Sequence, residues 1–325
     1  MNLRCLTCAL AAVALATSAL AQMTSDQKDE ILGEIDQVLT QRAFVPGVDL
    51  GKLRKSIDDR KDELDKAETP RQFAEIVNGA FSSFGLSHMT LLPGRMHRRW
   101  GGGFSAQGFF RGGRDRGPSV SWPEDDAAVL RIPSFELTYD PDQMAELMDS
   151  VKDAKYLVVD LREDPGGELD NMCQFLGLLL PSSAPLGTFV SKKMADDYAA
   201  QAGKSSDPVK IAKWAHDELH PIDSGVKPFA GKIAVLVDGH SASAAEIVAD
   251  ALREDRQSPI VGAPTMGAVL VSVFDRLSYG FRLQFPIGDY VSHDGIRLEG
   301  HPITPDVRAT GDDAIDAALS KLKSK

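Results

Sequence analysis

Two stretches of this chain run from an apolar strand through a turn of tiny residues into a helix, and they narrow the choice of fold more than any other feature. Tyr156-Leu157-Val158-Val159-Asp160 and Ile233-Ala234-Val235-Leu236-Val237 are almost unbroken apolar runs of strand length. A strand without polar alternation has both faces covered, as in a parallel sheet flanked by helices. Each run passes at once into Gly, Pro, Ser and Asp residues and then into helical spacing, over 169–180 and about 242–253. Val129-Leu130-Arg131-Ile132 and Pro259-Ile260-Val261 read as further short strands, and 144–151 as a helix. Strands alternating with helices predict an α/β fold with a central, partly parallel sheet. Segments 268–276 and 280–287 suggest a hairpin about Ser278-Tyr279-Gly280, and 313–322 a closing amphipathic helix.

The rest of the chain divides around this core. Residues 1–21 have the pattern of an export signal: Arg4, an apolar run over 6–20, and Ala19-Leu20-Ala21 before Gln22. The expected location is therefore exported, periplasmic or secreted, with no stable membrane association after cleavage. Ile31, Leu32, Ile35, Val38 and Leu39 fall at helical spacing, and 53–64 and 73–84 also read as helices, so 22–93 is expected to be a helical N-terminal subdomain. The Gly- and Arg-rich segment 94–126 reads as a loop or loose hairpin. Residues 127–325 form the α/β core, with 181–231, which has no strong strand signal, as a helical insertion or lid. Past the signal only Cys173 remains, so no internal disulfide can staple the fold. A net charge of -11 argues against nucleic acid or an anionic membrane as partner. The exception is local: Arg95, Arg98, Arg99, Arg111, Arg114 and Arg116 crowd one segment. Of these, Arg98 and Arg99 are the candidates for a carboxylate clamp, the alternative being a solvated loop.

The two turns carry the chemistry. Asp238-Gly239-His240-Ser241-Ala242-Ser243-Ala244-Ala245-Glu246-Ile247 ends a buried strand and opens a helix. A nucleophilic serine there has free N–H groups and the helix dipole to stabilise developing negative charge. A plain helix cap has the same residues. Asp160-Leu161-Arg162-Glu163-Asp164-Pro165-Gly166-Gly167 also joins a strand to a helix, and its paired glycines leave backbone N–H groups bare, as an oxyanion hole needs. Neither phosphate-binding glycine pattern is present, which disfavours nucleotides.

In order and spacing, these motifs, with Val261-Gly262-Ala263-Pro264-Thr265-Met266-Gly267 and Ile303-Thr304-Pro305-Asp306-Val307, resemble the tail-specific (C-terminal-processing) serine protease family over about 127–307. The resemblance implies a crotonase-like α/β core and makes Ser243 the nucleophile. It implies Gly166 or Gly167, with Ala244, as oxyanion donors. Its commoner branch places a catalytic lysine where Ala268 stands here, and no lysine lies between Lys232 and Lys321. The tricorn-core branch instead resembles a Ser-His-Ser-Glu tetrad. Ser87-His88 and Glu299, six residues before Pro305, match its remaining positions. Histidine suits the work of a base near neutral pH, and a carboxylate can orient it. About forty residues separate His88 from Ala127, too few for the PDZ domain that many members carry.

The expected activity is hydrolysis of peptide bonds in peptides or unfolded proteins, through an acyl-enzyme on Ser243 with His88 as base, without cofactor or metal. A catalytically inactive family module that binds an apolar ligand or peptide is the second reading. His216-Asp217-Glu218-Leu219-His220 spaces two histidines as in zinc hydrolases, but Asp217 replaces the base and Pro221 follows at once, so a solvated amphipathic helix is expected there.

Overall fold

The computed structural model describes residues 22–93, 117–136 and 139–324. The expected signal segment 1–21 lies outside the described residues, as do Arg95, Arg98, Arg99, Arg111, Arg114 and Arg116. The chain is a mixed α/β protein. Helices α1 (Ser25–Gln41), α2 (Leu50–Asp58), α3 (Lys61–Lys66) and α4 (Pro70–Ser82) lead to strand β1 (Thr90–Leu92). Thr24 and Thr69 begin α1 and α4 with capping boxes that use Gln27 and Gln72. The run expected as one helix over 53–64 breaks into α2 and α3 at Asp59 and Arg60.

Then follow β2 (Ser119–Glu124), β3 (Ala127–Arg131), α5 (Pro141–Ser150), β4 (Tyr156–Asp160), α6 (Leu169–Gly177) and β5 (Gly187–Ser191). Next come α7 (Lys192–Gln201), α8 (Pro208–Ala215), β6 (Lys232–Val237), α9 (Ala244–Arg256) and β7 (Ile260–Gly262). The chain closes through β8 (Val271–Arg276), β9 (Arg282–Ser292), β10 (Val307–Arg308) and α10 (Asp313–Lys323).

One sheet has the order β10-β7-β6-β4-β3-β2, parallel except for the antiparallel β2–β3 pair. Its strands explain the unbroken apolar runs. Leu157, Val159, Ile233, Val235 and Val237 enter the core under α5, α6 and α9. Val158, Ala234 and Leu236 enter the one under α10. Successive side chains point to opposite faces, and both faces are covered.

The second sheet is antiparallel and is built around β9, which pairs with β8, β1 and β5. The N-terminal helices pack on it: Ile31, Ile35, Leu53, Phe73 and Phe81 share one core with Leu91, Phe281, Leu283 and Phe285. Phe73 meets Phe281 edge to face, centroids 5.8 Å apart. The 181–231 segment, expected as a helical insertion for want of a strong strand signal, also holds β5, which pairs along β9. The expected helix at 216–220 is absent: α8 ends at Ala215, and His216 is its left-handed cap.

Candidate active site

Strands β4 and β6 are parallel neighbours in register, Asp160 opposite Leu236, so their carboxyl ends come out side by side. The two motif-bearing turns follow from those ends, the position where open α/β sheets gather ligand sites. Hydrogen bonds tie the turns together. Ala242 N–H donates to the Asp164 carbonyl (3.0 Å), and Glu163 N–H donates to Asp238 Oδ1 (3.1 Å). Ser241, fully buried, donates its hydroxyl to the Leu161 carbonyl (2.8 Å). Of the two serines in the motif, Ser241 is thus structural and Ser243 faces a cavity of about 750 Å³.

Ser243 has φ 55° and ψ -121°, a conformation that L-residues rarely adopt. Such strain costs about 1–3 kcal/mol and persists only where surrounding bonds enforce it. Here they do: Ser243 N–H lies 2.9 Å from the Ala268 carbonyl and 3.3 Å from Glu246 Oε2. Glu246 is wholly buried and also accepts from Thr265 Oγ1 (2.5 Å), Gly267 N (2.8 Å) and Ala268 N (2.8 Å). Burial pushes its carboxyl above the ordinary range, against the pull of these bonds. One carboxyl group therefore fixes both the serine turn and the 265–268 segment. The Ser-x-x-Glu spacing of Ser243 and Glu246 was the signal for it in the sequence.

His88 and Ser87 come from the turn between α4 and β1, and they line the same cavity as Ser243. Ser87 Oγ donates to Glu299 Oε2 (2.8 Å) and lies 2.7 Å from His88 Nδ1. Ser87 N–H reaches Glu299 Oε1 (2.9 Å), and Val269 N–H reaches Oε2 (2.8 Å). Glu299 is 3% exposed. A hydroxyl has one proton, and a carboxylate can only accept. The Ser87 proton is spent on Glu299, so Ser87 Oγ accepts from His88 Nδ1–H. That tautomer leaves Nε2 with a free lone pair. Burial holds the imidazole below its ordinary value, against the raising effect of Glu299, so the neutral ring is favoured. Among the described residues no hydrogen bond joins the His88 ring to the Ser243 hydroxyl.

The two glycines of the first turn differ. Gly166 N–H donates to Asp164 Oδ1 (2.7 Å), so it is committed inside the protein. A Cβ on Gly166 would lie 2.7 Å from Ser243 Cβ and 2.8 Å from Ala244 N, so the residue is packed behind the serine. Of the two oxyanion candidates, Gly166 thus has its N–H bonded to Asp164 and packs against Ser243. Gly167 and Ala244 line the cavity, and no described acceptor takes either N–H. Asp164 is fully buried, and burial raises its carboxyl well above the usual range; its Oδ2 has no partner among the described residues.

Ala268 is 7% exposed and takes part through its backbone alone. His216 and His220 are apart from this site and on no common helix; His220 Nδ1 bonds the Ala184 carbonyl (2.9 Å). Among the described residues no group of three His, Cys, Asp or Glu could hold a metal ion. Cys173 is buried, and burial pushes its thiol up to about 12.

The family description "Peptidase family S41" matches residues 126–309 of the chain. The "Probable CtpA-like serine protease" of Staphylococcus haemolyticus (strain JCSC1435) is 24% identical over 186 residues, 57% of this chain and 34% of that protein. The "Tail-specific protease" of Haemophilus influenzae is 27% identical over 213 residues, 59% of this chain and 27% of that protein. The chain thus spans about a third of the length of these curated relatives. A solved lipoprotein structure from Streptococcus agalactiae aligns with a TM-score of 0.62, covering 91% of this chain and 96% of that one; at 18% identity the likeness is one of fold.

Proposed function

The chain belongs to peptidase family S41, and from that premise we propose that it is a serine peptidase acting on peptides or unfolded proteins through an acyl-enzyme on Ser243. His88 Nε2 takes the Ser243 proton as Oγ bonds the scissile carbonyl carbon. The carbonyl oxygen becomes an oxyanion held by the N–H groups of Gly167 and Ala244. His88 returns the proton to the leaving amine, and the C–N bond breaks. Water, deprotonated by the same nitrogen, then releases the acyl group. Ser87 and Glu299 keep His88 in the tautomer that has a free Nε2.

The observation that carries this reading is the Glu299–Ser87–His88 chain, which ends at the cavity that Ser243 lines. It supplies a base in a protein with Ala268 where the commoner branch has lysine. The same reading assigns the six-stranded sheet and its helices to a crotonase-like core, with 22–93 as a helical subdomain and 127–325 as the peptidase core. It also has the protein exported, with cleavage before Gln22. No helix of the described residues is long and apolar enough to cross a membrane.

Fluorophosphonate labelling followed by peptide mass spectrometry tests the reading. The adduct is expected on Ser243. No adduct there, with the protein folded, would reject the acyl-enzyme and leave a ligand-binding module.

A further inference from the structure

The cavity that Ser243 and His88 line is uneven in charge. Glu136 and Glu168 also line it, and no lysine or arginine stands among its described lining residues. Its remaining titratable side chain is His88, in which burial favours the neutral ring.

Backbone pairing sets the two glutamates side by side. Beyond β3 the chain reaches Phe135, which forms a parallel bridge with Gly167. Phe135 N–H donates to the Gly166 carbonyl, and Glu168 N–H to the Phe135 carbonyl, both at 2.9 Å. The segments are so close that a Cβ on Gly167 would lie 2.3 Å from Glu136 N. Phe135 is fully buried in the core under α5, α6 and α9. Side chains alternate along extended backbone, so Glu136 turns the other way, toward the cavity. Glu136 is half-buried, and Glu168, the N-cap of α6, is exposed. The pair flanks Gly167, whose N–H the proposed reaction uses.

No described group neutralises the pair. Among the described residues no hydrogen bond or ion pair takes either carboxylate. Burial, and then the Glu168 charge, raise the Glu136 carboxyl above its ordinary range. Asp164 adds a third carboxyl to the same turn: it is fully buried, its Oδ2 has no described partner, and the Glu136 charge reaches it. Uncompensated carboxylates beside Gly167 oppose the oxyanion that its N–H would hold. A cation brought by the substrate removes that opposition, and it does so most strongly as the oxyanion forms.

The neighbouring wall is apolar. Met172 lies one turn after Glu168 on α6, and Ile247 one turn after Ser243 on α9. Both line the cavity and belong to one buried core, and Leu169 stands exposed beside them. An apolar wall that ends at carboxylates suits a side chain with a methylene stem and a cationic head, which is lysine or arginine.

We infer that Glu136 and Glu168 are specificity-determining residues: they select substrates with lysine or arginine on the acyl side of the scissile bond. The inference rests on the peptidase reading of this cavity. It deepens that reading by naming the side chain that the cavity accepts.

Two biotinylated diphenyl phosphonates, alike except for a lysine or a norleucine side chain, provide the test. Each phosphonylates an active serine, and peptide mass spectrometry follows the rate of adduct formation at Ser243. In wild type the lysine probe should react at least about tenfold faster, the effect of one hydrogen bond to a charged group. Raising the salt to about 1 M should shrink that ratio. Glu136→Gln should lower it about fivefold or more. Glu168→Gln should lower it too, at an exposed cap with no side-chain bond to lose. Glu136→Lys should favour a third probe, with a glutamate side chain, over the lysine probe.

Fluorophosphonate labelling of the same wild-type protein separates the subsite from the reading beneath it. Labelling at Ser243 without faster reaction of the lysine probe would overturn the subsite and leave the peptidase reading standing. A lysine preference that survives both glutamine substitutions would also overturn it. No fluorophosphonate adduct on wild-type Ser243 would instead overturn the peptidase reading itself.

Discussion

Ser87 has a single hydroxyl proton, and its direction decides which nitrogen of His88 can act. Because Glu299 accepts that proton, Nδ1–H must face Ser87, and Nε2 keeps the free lone pair that the proposed base needs. The pH dependence follows. Burial lowers the folded value of His88, so the neutral base survives below the ordinary histidine value of about 6.5. The acid limb of the labelling rate at Ser243 should fall below pH ~6.5 in wild type. A limb well above that value would contradict a neutral, half-buried His88.

The linkage has its own sign. The unfolded chain protonates His88 first, so this contribution to stability is complete above about pH 6.5 and is lost as pH falls toward the folded value. At this scale the sequence was informative about residue types. It named Ser243, His88, Ser87 and Glu299, which now lie in or behind one cavity. It could not separate Gly166 from Gly167, because what divides them is the Asp164 side chain folding back on one N–H. Only coordinates report that.

Turns between elements place every group of the site, so element packing controls its geometry. The runs β4 and β6 were legible because burial on both faces leaves no polar residue in them. Strands β5 and β1 were not. Gly187–Ser191 and Thr90–Leu92 are short, and each is a strand only because β9 supplies a partner far away in sequence. The hairpin of β8 and β9 could be read from its apolar pattern on either side of Ser278-Tyr279-Gly280.

The α4–β1 turn that holds His88 rests on the core under the N-terminal helices, where Phe73 packs on Phe281. Phe73→Ala should cost about 3–5 kcal/mol in chemical denaturation, a large aromatic deletion in a filled core. The folded fraction should also label more slowly, because His88 loses its footing. A change under about 1 kcal/mol would mean that this core relaxes around the gap and does not hold the turn.

Taken whole, the molecule brings two sheets together at one cavity. The six-stranded sheet delivers Ser243, Gly167 and Ala244 at its carboxyl edge. The N-terminal helices and the β9 sheet deliver Ser87 and His88. Glu299, from the segment between β9 and β10, links them through Ser87 and Val269. His88 is thus borne by the part of the chain before the family match at 126–309, and Ser243, its proposed partner in catalysis, by the part within it.

Turnover of five proteins on one peptide tests that division most directly: wild type, His88→Ala, Ser243→Ala, the double variant and Ala268→Lys. Loss of His88 or Ser243 should each reduce kcat by roughly four to six orders of magnitude, and the double variant should fall no further, because members of one catalytic unit are not additive. Ala268→Lys should not raise activity, since an ammonium beside the ring disfavours the imidazolium that forms during acylation. Near wild-type turnover in His88→Ala, or activity gained through lysine at 268 with His88 dispensable, would contradict the account.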